Sequence, residues 1–234
     1  MDHKTDYKLK DRIRFKLKRY LPGDTGALNA RFDRWSRWRK TEARFKAAQA
    51  ATDGKVAIDL GANIGEFTKV LAEKASFVYA FEPDPWTADL LRRNPAHLPN
   101  VEVSEAAASD KPGKMQIFRH RDYADNPQGL SQSSTLVPDS PDIDGATPVA
   151  EVEVIDFMAF LRDRDLQVGI MKVDIEGGEI ALMNALLDSP ERERVDYIFC
   201  ETHEVNYPKM RADFRALRKR AKGVQRPVVN LDWL

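Results

Sequence analysis

Two strands predicted from this sequence end in residues that could bind a nucleotide-like ligand. The apolar run 56–60 leads into Asp59-Leu60-Gly61-Ala62-Asn63-Ile64-Gly65, a turn bounded by glycines. Such a turn lets a ligand lie close to the backbone, and the free N–H groups of the helix that follows suit an anion. Glu82 ends the next apolar run. There its carboxylate could accept hydrogen bonds from both hydroxyl groups of a ribose.

The glycine spacing narrows the choice of ligand. Gly61 and Gly65 form Gly-x-x-x-Gly, and Asn63 stands where a dinucleotide-binding turn has its middle glycine. No Gly-Lys-Ser/Thr follows, which argues against a nucleoside triphosphate. A ligand with a ribose and a smaller anion, such as S-adenosylmethionine, fits this spacing better than NAD does. The spacing alone leaves both ligands open.

Two later apolar runs also end in polar residues. Val168–Val173 leads into Asp174-Ile175-Glu176-Gly177-Gly178-Glu179, and Tyr197–Cys200 leads into Glu201-Thr202-His203. In an open parallel sheet, ligands bind beyond the carboxyl ends of the strands, so these segments are expected at the same edge as the glycine turn. Lys172, inside the first of these runs, is expected to pair with an acidic neighbour.

The same edge could hold a magnesium ion. Carboxylates and an imidazole suit a divalent cation that orients a diol. However, acidic residues at the start of a helix are favoured by the helix dipole without any metal. We therefore assign no metal ligands and keep Mg²⁺ as an alternative for one group of residues: Asp174, Glu176, Glu179, Glu201 and His203.

The elements that must position these residues alternate between strand and helix from residue 54 onwards. Strands are predicted at Val56–Leu60, Phe77–Phe81, Val101–Ala107, Lys114–Arg119, Val149–Val154, Val168–Val173, Tyr197–Cys200 and Val228–Leu231. Helices are predicted at Glu66–Lys74, Trp86–Arg93, Ile155–Arg164, Ile180–Leu187 and Met210–Ala221. This alternation predicts an α/β fold, a Rossmann-like, doubly wound and mostly parallel sheet covered by helices on both faces.

The chain divides into a basic arm and an acidic body. Residues 1–46 contain 15 Lys and Arg against 6 Asp and Glu, although the 234-residue chain has no net charge. We predict a basic, helical N-terminal extension at 1–50 and an enzyme domain at 51–234. The aromatic residues interleaved in the arm, among them Trp35 and Trp38, are expected to be a packing stripe. The arm could pack on the acidic body, form a homodimer, or contact an anionic glycan or a membrane surface.

Residues 121–148 are predicted to be a lid or an insertion loop. They contain four prolines and two glycines among polar residues, which is typical of a binding loop or an unstructured insertion.

The composition also bears on the compartment. The only cysteine, Cys200, lies in an apolar run, so an intramolecular disulfide is excluded and a reducing cytosol is expected. There is no run of about 18 apolar residues and no signal-peptide pattern. We expect a cytoplasmic protein, at most peripheral to the inner face of a membrane.

Three ordered motifs resemble the FkbM family of class I methyltransferases. They are Asp59–Gly65, then Phe81-Glu82-Pro83, then Lys172-Val173-Asp174-Ile175-Glu176-Gly177-Gly178-Glu179, of which the third is the most specific. Ser133-Ser134-Thr135-Leu136 is similar to a serine-rich element of that family. The resemblance covers roughly residues 54–205 and does not include the arm. It implies S-adenosylmethionine as methyl donor and, commonly, a hydroxyl oxygen as acceptor, on sugars or polyketide-type natural products.

This resemblance suggests a role for each cofactor-site residue. Asp59 would hold the ammonium of the cofactor, directly or through water, and Gly61, Asn63 and Gly65 would surround its carboxylate. Glu82 would bind the ribose. Ser109 and Asp110, which follow the third predicted strand, would approach the adenine. Alternatively, Asp110 is only a turn residue.

A hydroxyl acceptor must lose its proton near the transition state, which calls for a base. His203 has a suitable ordinary pKa, and Asp174 or Glu201 could take the same role. The sequence leaves this choice open.

The functional prediction is therefore O-methylation of a hydroxyl on a sugar, glycan or secondary metabolite. A nucleic-acid or protein methyltransferase is the first alternative, and nucleic acid is disfavoured because no Asn/Asp-Pro-Pro-Tyr/Phe motif follows a strand. The second alternative is a non-catalytic binding module that retains the fold.

Overall fold

The computed structural model describes residues 40–94, 98–125, 127, 131, 134–137, 143, 148–203 and 207–233. Residues 1–39 of the predicted arm, which include Phe32, Trp35 and Trp38, lie outside the described residues. Most of the predicted lid, 121–148, also lies outside it. The division into an arm and a domain therefore stays a prediction.

Nine strands are described, and six of them form one parallel sheet. In chain order the strands are β1 (Val56–Leu60), β2 (Phe77–Phe81), β3 (Val101–Ser104), β4 (Ala107–Ser109), β5 (Gly113–Ile117), β6 (Ala150–Asp156), β7 (Val168–Val173), β8 (Val195–Glu201) and β9 (Val228–Trp233). The main sheet has the order β3-β2-β1-β7-β8-β9, and every pair in it is parallel. The predicted Rossmann-like, doubly wound α/β fold is confirmed.

Alongside these strands, six α-helices are described over seven residues or more each. They are α1, described over residues 40–51, α2 (Glu66–Ala72), α3 (Pro85–Arg93), α4 (Phe157–Asp163), α5 (Glu179–Asp188) and α6 (Arg211–Ala221). Short 3-10 helices lie at Pro190–Arg194 and Pro208–Met210. Among the described helices, none is long and apolar enough to span a membrane.

Helices cover both faces of the main sheet. All six residues of β7 are buried, and the strand contributes to two cores. Met171 and Val173 belong to the core formed with α4, α5 and α6, which includes Leu161, Leu182 and Leu217. Ile170 packs with α1 and α2 on the other face. A strand buried on both faces explains why this run is apolar throughout.

Helix α1 belongs to the packed body of the protein. Its Phe45 is 4% exposed and meets Phe67, Phe199 and Trp233, with ring centroids 5.2, 5.2 and 5.1 Å away. The helix crosses the predicted boundary at residue 50. The described end of the arm is therefore part of the core.

One predicted strand is divided in two. The segment predicted as Val101–Ala107 forms β3, which pairs with β2, and β4, which pairs with β6 in a second sheet of order β4-β6-β5. Glu105 and Ala106 separate the two strands. The sequence pattern did not reveal this break, because no glycine or proline separates the alternating segment Val101–Ser104 from the alanines at 106–108.

Candidate active site

The carboxyl ends of neighbouring strands carry the polar residues singled out from the sequence. β1 lies between β2 and β7, so the chain leaves β1 for one side of the sheet and later returns on the other. Ligands of open α/β sheets bind at such a reversal of strand order. Asp59, Glu82, Asp174 and Glu201 all stand at or beside these strand ends, as predicted.

The turn after β1 packs directly against the turn after β7. Gly61 has φ 75°, and a Cβ at this position would lie 1.7 Å from the carbonyl oxygen of Asp174. The Asp174 N–H donates to the carbonyl of Leu60 at 3.0 Å, and the Gly61 N–H donates to the carbonyl of Phe81 at 3.0 Å. Three strand ends are thus tied together at a point where only glycine fits.

Asn63 links this turn to two other segments. It has φ 49°, in the left-handed region. Its N–H donates to Glu82 at 2.9 Å, while its side-chain oxygen accepts from the Ile64 N–H at 2.6 Å and the Ser131 hydroxyl at 3.0 Å. Gly65 then forms the N-cap of α2 without a side-chain acceptor for the first N–H groups of the helix. The cofactor roles of these residues stay predictions.

Asp59 is fully buried beneath the turn. One carboxylate oxygen accepts from the Thr68 hydroxyl at 2.7 Å. The other, Oδ1, has no hydrogen-bond partner, although Lys172 Nζ lies 3.3 Å away as an ion pair. A buried carboxylate oxygen in this state can still accept a hydrogen bond. Its depth means that contact with a ligand would pass through water or through a shift of the turn.

Lys172 links the turn after β1 to the turn after β7. Its Nζ donates to the carbonyl of Gly61 at 2.7 Å and lies 3.3 Å from carboxylate oxygens of both Asp59 and Asp174. Burial alone would lower the pKa of this ammonium, but the two carboxylates raise it further than burial lowers it. The predicted pairing with an acidic neighbour is confirmed, and the lysine is charged.

Glu82 is buried at the end of β2. Its two oxygens accept from the N–H groups of Asn63 and Asp84, each at 2.9 Å. Burial raises the pKa of this carboxyl to about 7, against the lowering effect of those hydrogen bonds. Each carboxylate oxygen has two lone pairs, so one acceptor position per oxygen is left for ribose hydroxyls.

An ion pair beside Glu82 was not identified from the sequence. Asp84 is fully buried and caps α3 by accepting from the N–H groups of Trp86 and Thr87 at 3.0 Å. Arg119 donates to it twice, at 2.6 and 2.9 Å. Burial would raise the pKa of Asp84, but Arg119 and the helix N–H groups lower it overall. Asp84-Pro85 has the pattern of a helix N-cap, which was the available signal.

The two residues predicted near the adenine lie at the end of β4, in the second sheet, and directly after it. Ser109 ends β4, next to Asp156 of β6, and its hydroxyl donates to Asp110 at 3.1 Å. Both are partly buried. Their contact with adenine stays a prediction.

Beyond the ends of β7 and β8, a histidine is held among four carboxylates. We call these residues the histidine cluster: His203, Asp174, Glu176, Glu179 and Glu201. The ring is 6% exposed, with Nδ1 2.9 Å from Glu179 Oε1. Nε2 lies 3.3 Å from Glu176, 3.6 Å from Asp174 and 3.9 Å from Glu201. The three residues predicted as catalytic are thus brought together. The sequence placed Glu179 with His203 only as a possible magnesium ligand and did not indicate that it would be fully buried behind the ring.

The histidine cluster favours a charged imidazole. Burial alone would lower the pKa of His203, but its contacts with Glu176 and Glu179 raise that pKa well above the usual range. Burial raises the pKa of Glu176, partly offset by His203. His203 therefore carries its proton at neutral pH and becomes a base only as the pH rises.

The described part of the predicted lid contacts the site in two places, beside Glu82 and beside the histidine cluster. The Ser134 hydroxyl is 3.5 Å from Asp84. The hydroxyls of Thr135 and Tyr207 both donate to the carbonyl of Glu176, at 2.6 and 2.9 Å, and lie 3.1 Å apart. We call these two residues the hydroxyl clamp. Glu176 has φ 49°, so the clamp holds a residue in an uncommon backbone conformation.

The fold and the site together define a Rossmann-like α/β domain of the class I methyltransferase type. The chain belongs to the Methyltransferase FkbM domain family, whose model matches residues 59–223. No curated protein matches the chain.

Solved structures give partial similarities. Methyltransferase FkbM from Methylobacillus flagellatus KT is 18% identical over 58% of this chain and 31% of its own, with a TM-score of 0.35. Phosphoethanolamine N-methyltransferase 1 from Haemonchus contortus, in complex with phosphoethanolamine and S-adenosylhomocysteine, is 26% identical over 25% of this chain and 14% of its own, with a TM-score of 0.22. The 23S rRNA methyltransferase ErmE is 32% identical over 29% and 28%, with a TM-score of 0.24. At these TM-scores no acceptor follows from the similarities.

Proposed function

We propose that this protein transfers a methyl group from S-adenosylmethionine to a hydroxyl oxygen of a sugar, a glycan or a secondary metabolite. One observation carries the proposal. Lys172 bridges Asp59, on the predicted cofactor side, and Asp174, in the histidine cluster, at 3.3 Å each. A donor in the glycine turn and a hydroxyl beside the cluster would therefore be neighbours.

The residues around the glycine turn fit the cofactor. Glu82 has one acceptor position per oxygen left for the ribose, and Asp59 has a buried oxygen without a hydrogen bond. Gly61 leaves the backbone open to close approach. S-adenosylmethionine, when bound, supplies the methyl group from a sulfonium whose positive charge the surrounding carboxylates would tolerate.

The histidine cluster would handle the acceptor proton. In the transfer an O–CH₃ bond forms, the S–CH₃ bond breaks and the hydroxyl proton must leave. Nε2 of neutral His203 would accept this proton and then be stabilised as imidazolium by Glu176 and Asp174. Alignment and water exclusion would supply the rest of the acceleration, because the donor is already activated.

The charge of the site favours a neutral, hydroxyl-rich acceptor. Four carboxylates surround one imidazole, and the side chains of Asp174 and Glu176 are 28% and 23% exposed. A phosphate group placed here would meet like charges. This disfavours a nucleic-acid backbone at the reacting position and supports a sugar or another polyol.

Calorimetric titration with S-adenosylmethionine and S-adenosylhomocysteine, with NAD as control, tests the cofactor. We expect both sulfur ligands to bind and Glu82→Ala to weaken them, whereas Glu102→Ala, on an exposed position of β3, should not. Transfer of a labelled methyl group to a panel of hydroxylated glycans then tests the acceptor class. Failure of both sulfur ligands to bind, or a preference for NAD, would overturn the proposal.

Magnesium stays a prediction from the sequence. Asp174, Glu176 and His203 each place one donor atom within 4.8 Å of the others, a spacing that a cation could occupy. The imidazolium of His203 already compensates part of this charge. Titrations with EDTA and with added MgCl₂ decide the matter, since a required cation would make ligand affinity or methyl transfer depend on it.

A further inference from the structure

We propose that Glu179 is a positioning residue, which holds the imidazole of His203 so that Nε2 faces the acceptor. The inference rests on the proposed function, because it concerns the group that would take the acceptor proton. Glu179 is the first residue of α5 and is fully buried. It has no described route to either substrate and would act through His203 alone.

A buried carboxylate is costly unless its oxygens are paired. Oε1 of Glu179 accepts from the Ile175 N–H at 3.1 Å and the Gly177 N–H at 3.2 Å, and Oε2 accepts from the Gly177 N–H at 3.0 Å. His203 Nδ1 lies 2.9 Å from the same Oε1. One carboxylate therefore fixes both the turn after β7 and the ring that follows β8.

This arrangement determines which ring nitrogen can exchange a proton. A carboxylate only accepts hydrogen bonds, so both nitrogens of the charged ring carry a hydrogen. Nδ1 lies 2.9 Å from Glu179 and Nε2 lies 3.3 Å from Glu176, so the shorter contact favours keeping the hydrogen on Nδ1 when the ring becomes neutral. Nε2 is then the nitrogen directed towards Asp174, Glu176 and Glu201, at 3.3 to 3.9 Å. A buried carboxylate that fixes the tautomer of a histidine in this way is a known device for proton transfer.

A purely structural role would look different. If Glu179 only capped the turn after β7, its substitution would change the free energy of unfolding but leave the tautomer of His203 unchanged. The two roles therefore separate in a measurement on the ring itself. Among the residues that the structure describes, the charged groups that face the ring are Glu179 of α5, Asp174 and Glu176 of the turn after β7, and Glu201 of β8.

The experiment is ¹⁵N NMR of the imidazoles in the complex with S-adenosylhomocysteine, with EDTA present, across a pH series. The chain has four histidines, and His203→Gln identifies the signals of this one. In the wild type we expect neutral His203 to carry its hydrogen on Nδ1. In Glu179→Gln we expect a changed tautomer ratio and a protonation constant lowered about tenfold.

Glu191→Gln is the matched control. Glu191 is also buried, with 7% of its surface exposed, and it pairs with Arg194. Both residues lie in the 3-10 helix before β8, at the amino ends of the strands and therefore away from His203. It should leave His203 unchanged. Two outcomes would overturn the proposal. One is a wild-type tautomer with the hydrogen on Nε2, which is measured without any variant. The other is a Glu179→Gln protein whose His203 signals are the same as those of Glu191→Gln.

Kinetics give a second readout once a hydroxylated acceptor is methylated. Glu179→Gln should lower kcat about 100-fold and leave the KM for S-adenosylmethionine unchanged. An unchanged kcat would contradict the positioning role. Failure of the wild type to bind S-adenosylhomocysteine would instead contradict the proposed function, so the two failures are distinguishable.

Discussion

The Cα of Gly61 faces the main-chain carbonyl of Asp174, with no room for a methyl group between them. We expect Gly61→Ala to lower the free energy of unfolding by about 2–4 kcal/mol, because an alanine meets both a left-handed backbone and a clash. It should also abolish binding of S-adenosylhomocysteine, since the turns after β1 and β7 must move apart. Urea unfolding and calorimetry measure the two effects.

Gly54 provides a closely matched control for Gly61. It has φ 77°, and a Cβ there would meet nothing within 4 Å. Gly54→Ala should therefore cost only the backbone strain, about 1 kcal/mol, and should leave ligand binding intact. Equal losses in the two variants would show that the close approach to Asp174 is not what requires glycine at position 61.

If Glu82 binds the ribose as proposed, cofactor affinity should depend on pH. Burial raises the pKa of Glu82 to about 7, and ribose hydroxyls would donate to its ionised form. Binding should thus release a proton, and the affinity for S-adenosylhomocysteine should rise as the pH rises through about 7. Titrations in buffers of different ionisation enthalpy measure this proton. In Glu82→Gln the dependence should vanish; if the wild-type affinity is flat across this range, Glu82 does not bind the ribose as a carboxylate.

Lys172→Met should destabilise the protein by about 3 kcal/mol. The substitution leaves the buried carboxylate of Asp59 without its ion-pair partner. The double variant Lys172→Met/Asp59→Asn should recover part of the loss, which urea unfolding of the single and double variants would reveal. Lys114→Met, on an exposed position of β5, serves as the comparison and should cause a much smaller change. No recovery in the double variant would mean that Lys172 acts mainly through Asp174 or Gly61.

His203 should contribute stability at low pH. Its pKa is raised in the folded protein, so its contribution is fully present below the usual pKa of about 6.5 and is lost as the pH rises through the folded value. The difference in unfolding free energy between wild type and His203→Gln should therefore shrink with rising pH. If His203 is the base, the rate of methyl transfer should rise over the same range. A stability difference that grows with pH would contradict the charged ring.

The hydroxyl clamp should rigidify the turn that carries Glu176. Thr135→Val removes one hydroxyl without changing the volume of the side chain, and about 1–2 kcal/mol of stability should be lost. Hydrogen exchange of the N–H groups at residues 176–178 should accelerate in this variant. Thr135→Ser keeps the hydroxyl and should exchange like the wild type, whereas equal exchange in Thr135→Val and wild type would mean that Thr135 does not hold the turn.

Local patterns were sufficient to predict the strands that carry the site. Val56–Leu60, Phe77–Phe81 and Val168–Val173 are strands over the predicted ranges, because short apolar runs followed by glycine or an acidic residue are typical of buried parallel strands. The edge at which Asp59, Glu82 and Asp174 meet then follows from the parallel order alone.

The missing parts of the site depend on contacts between distant residues. Arg119 meets Asp84 across 35 positions, and His203 meets Glu179 across 24. Glu179 looked like an acidic residue at a helix start, where the helix dipole gave a sufficient reason for it. Only the packing of α5 against the end of β8 shows that its carboxylate is buried and lies behind a histidine. No periodicity along the chain encodes such a pairing.

The hydroxyl clamp also affects when the site can form during synthesis of the chain. Thr135 and Tyr207 are 72 positions apart, and both must reach the carbonyl of Glu176. A single domain generally folds as one unit. The core that contains Met171 of β7 also contains Leu217 of α6 and Leu231 of β9, which are synthesised after Tyr207. The turn that carries Glu176 and its two hydroxyl partners should therefore form together and late in synthesis, although the residues that meet there are far apart in the chain.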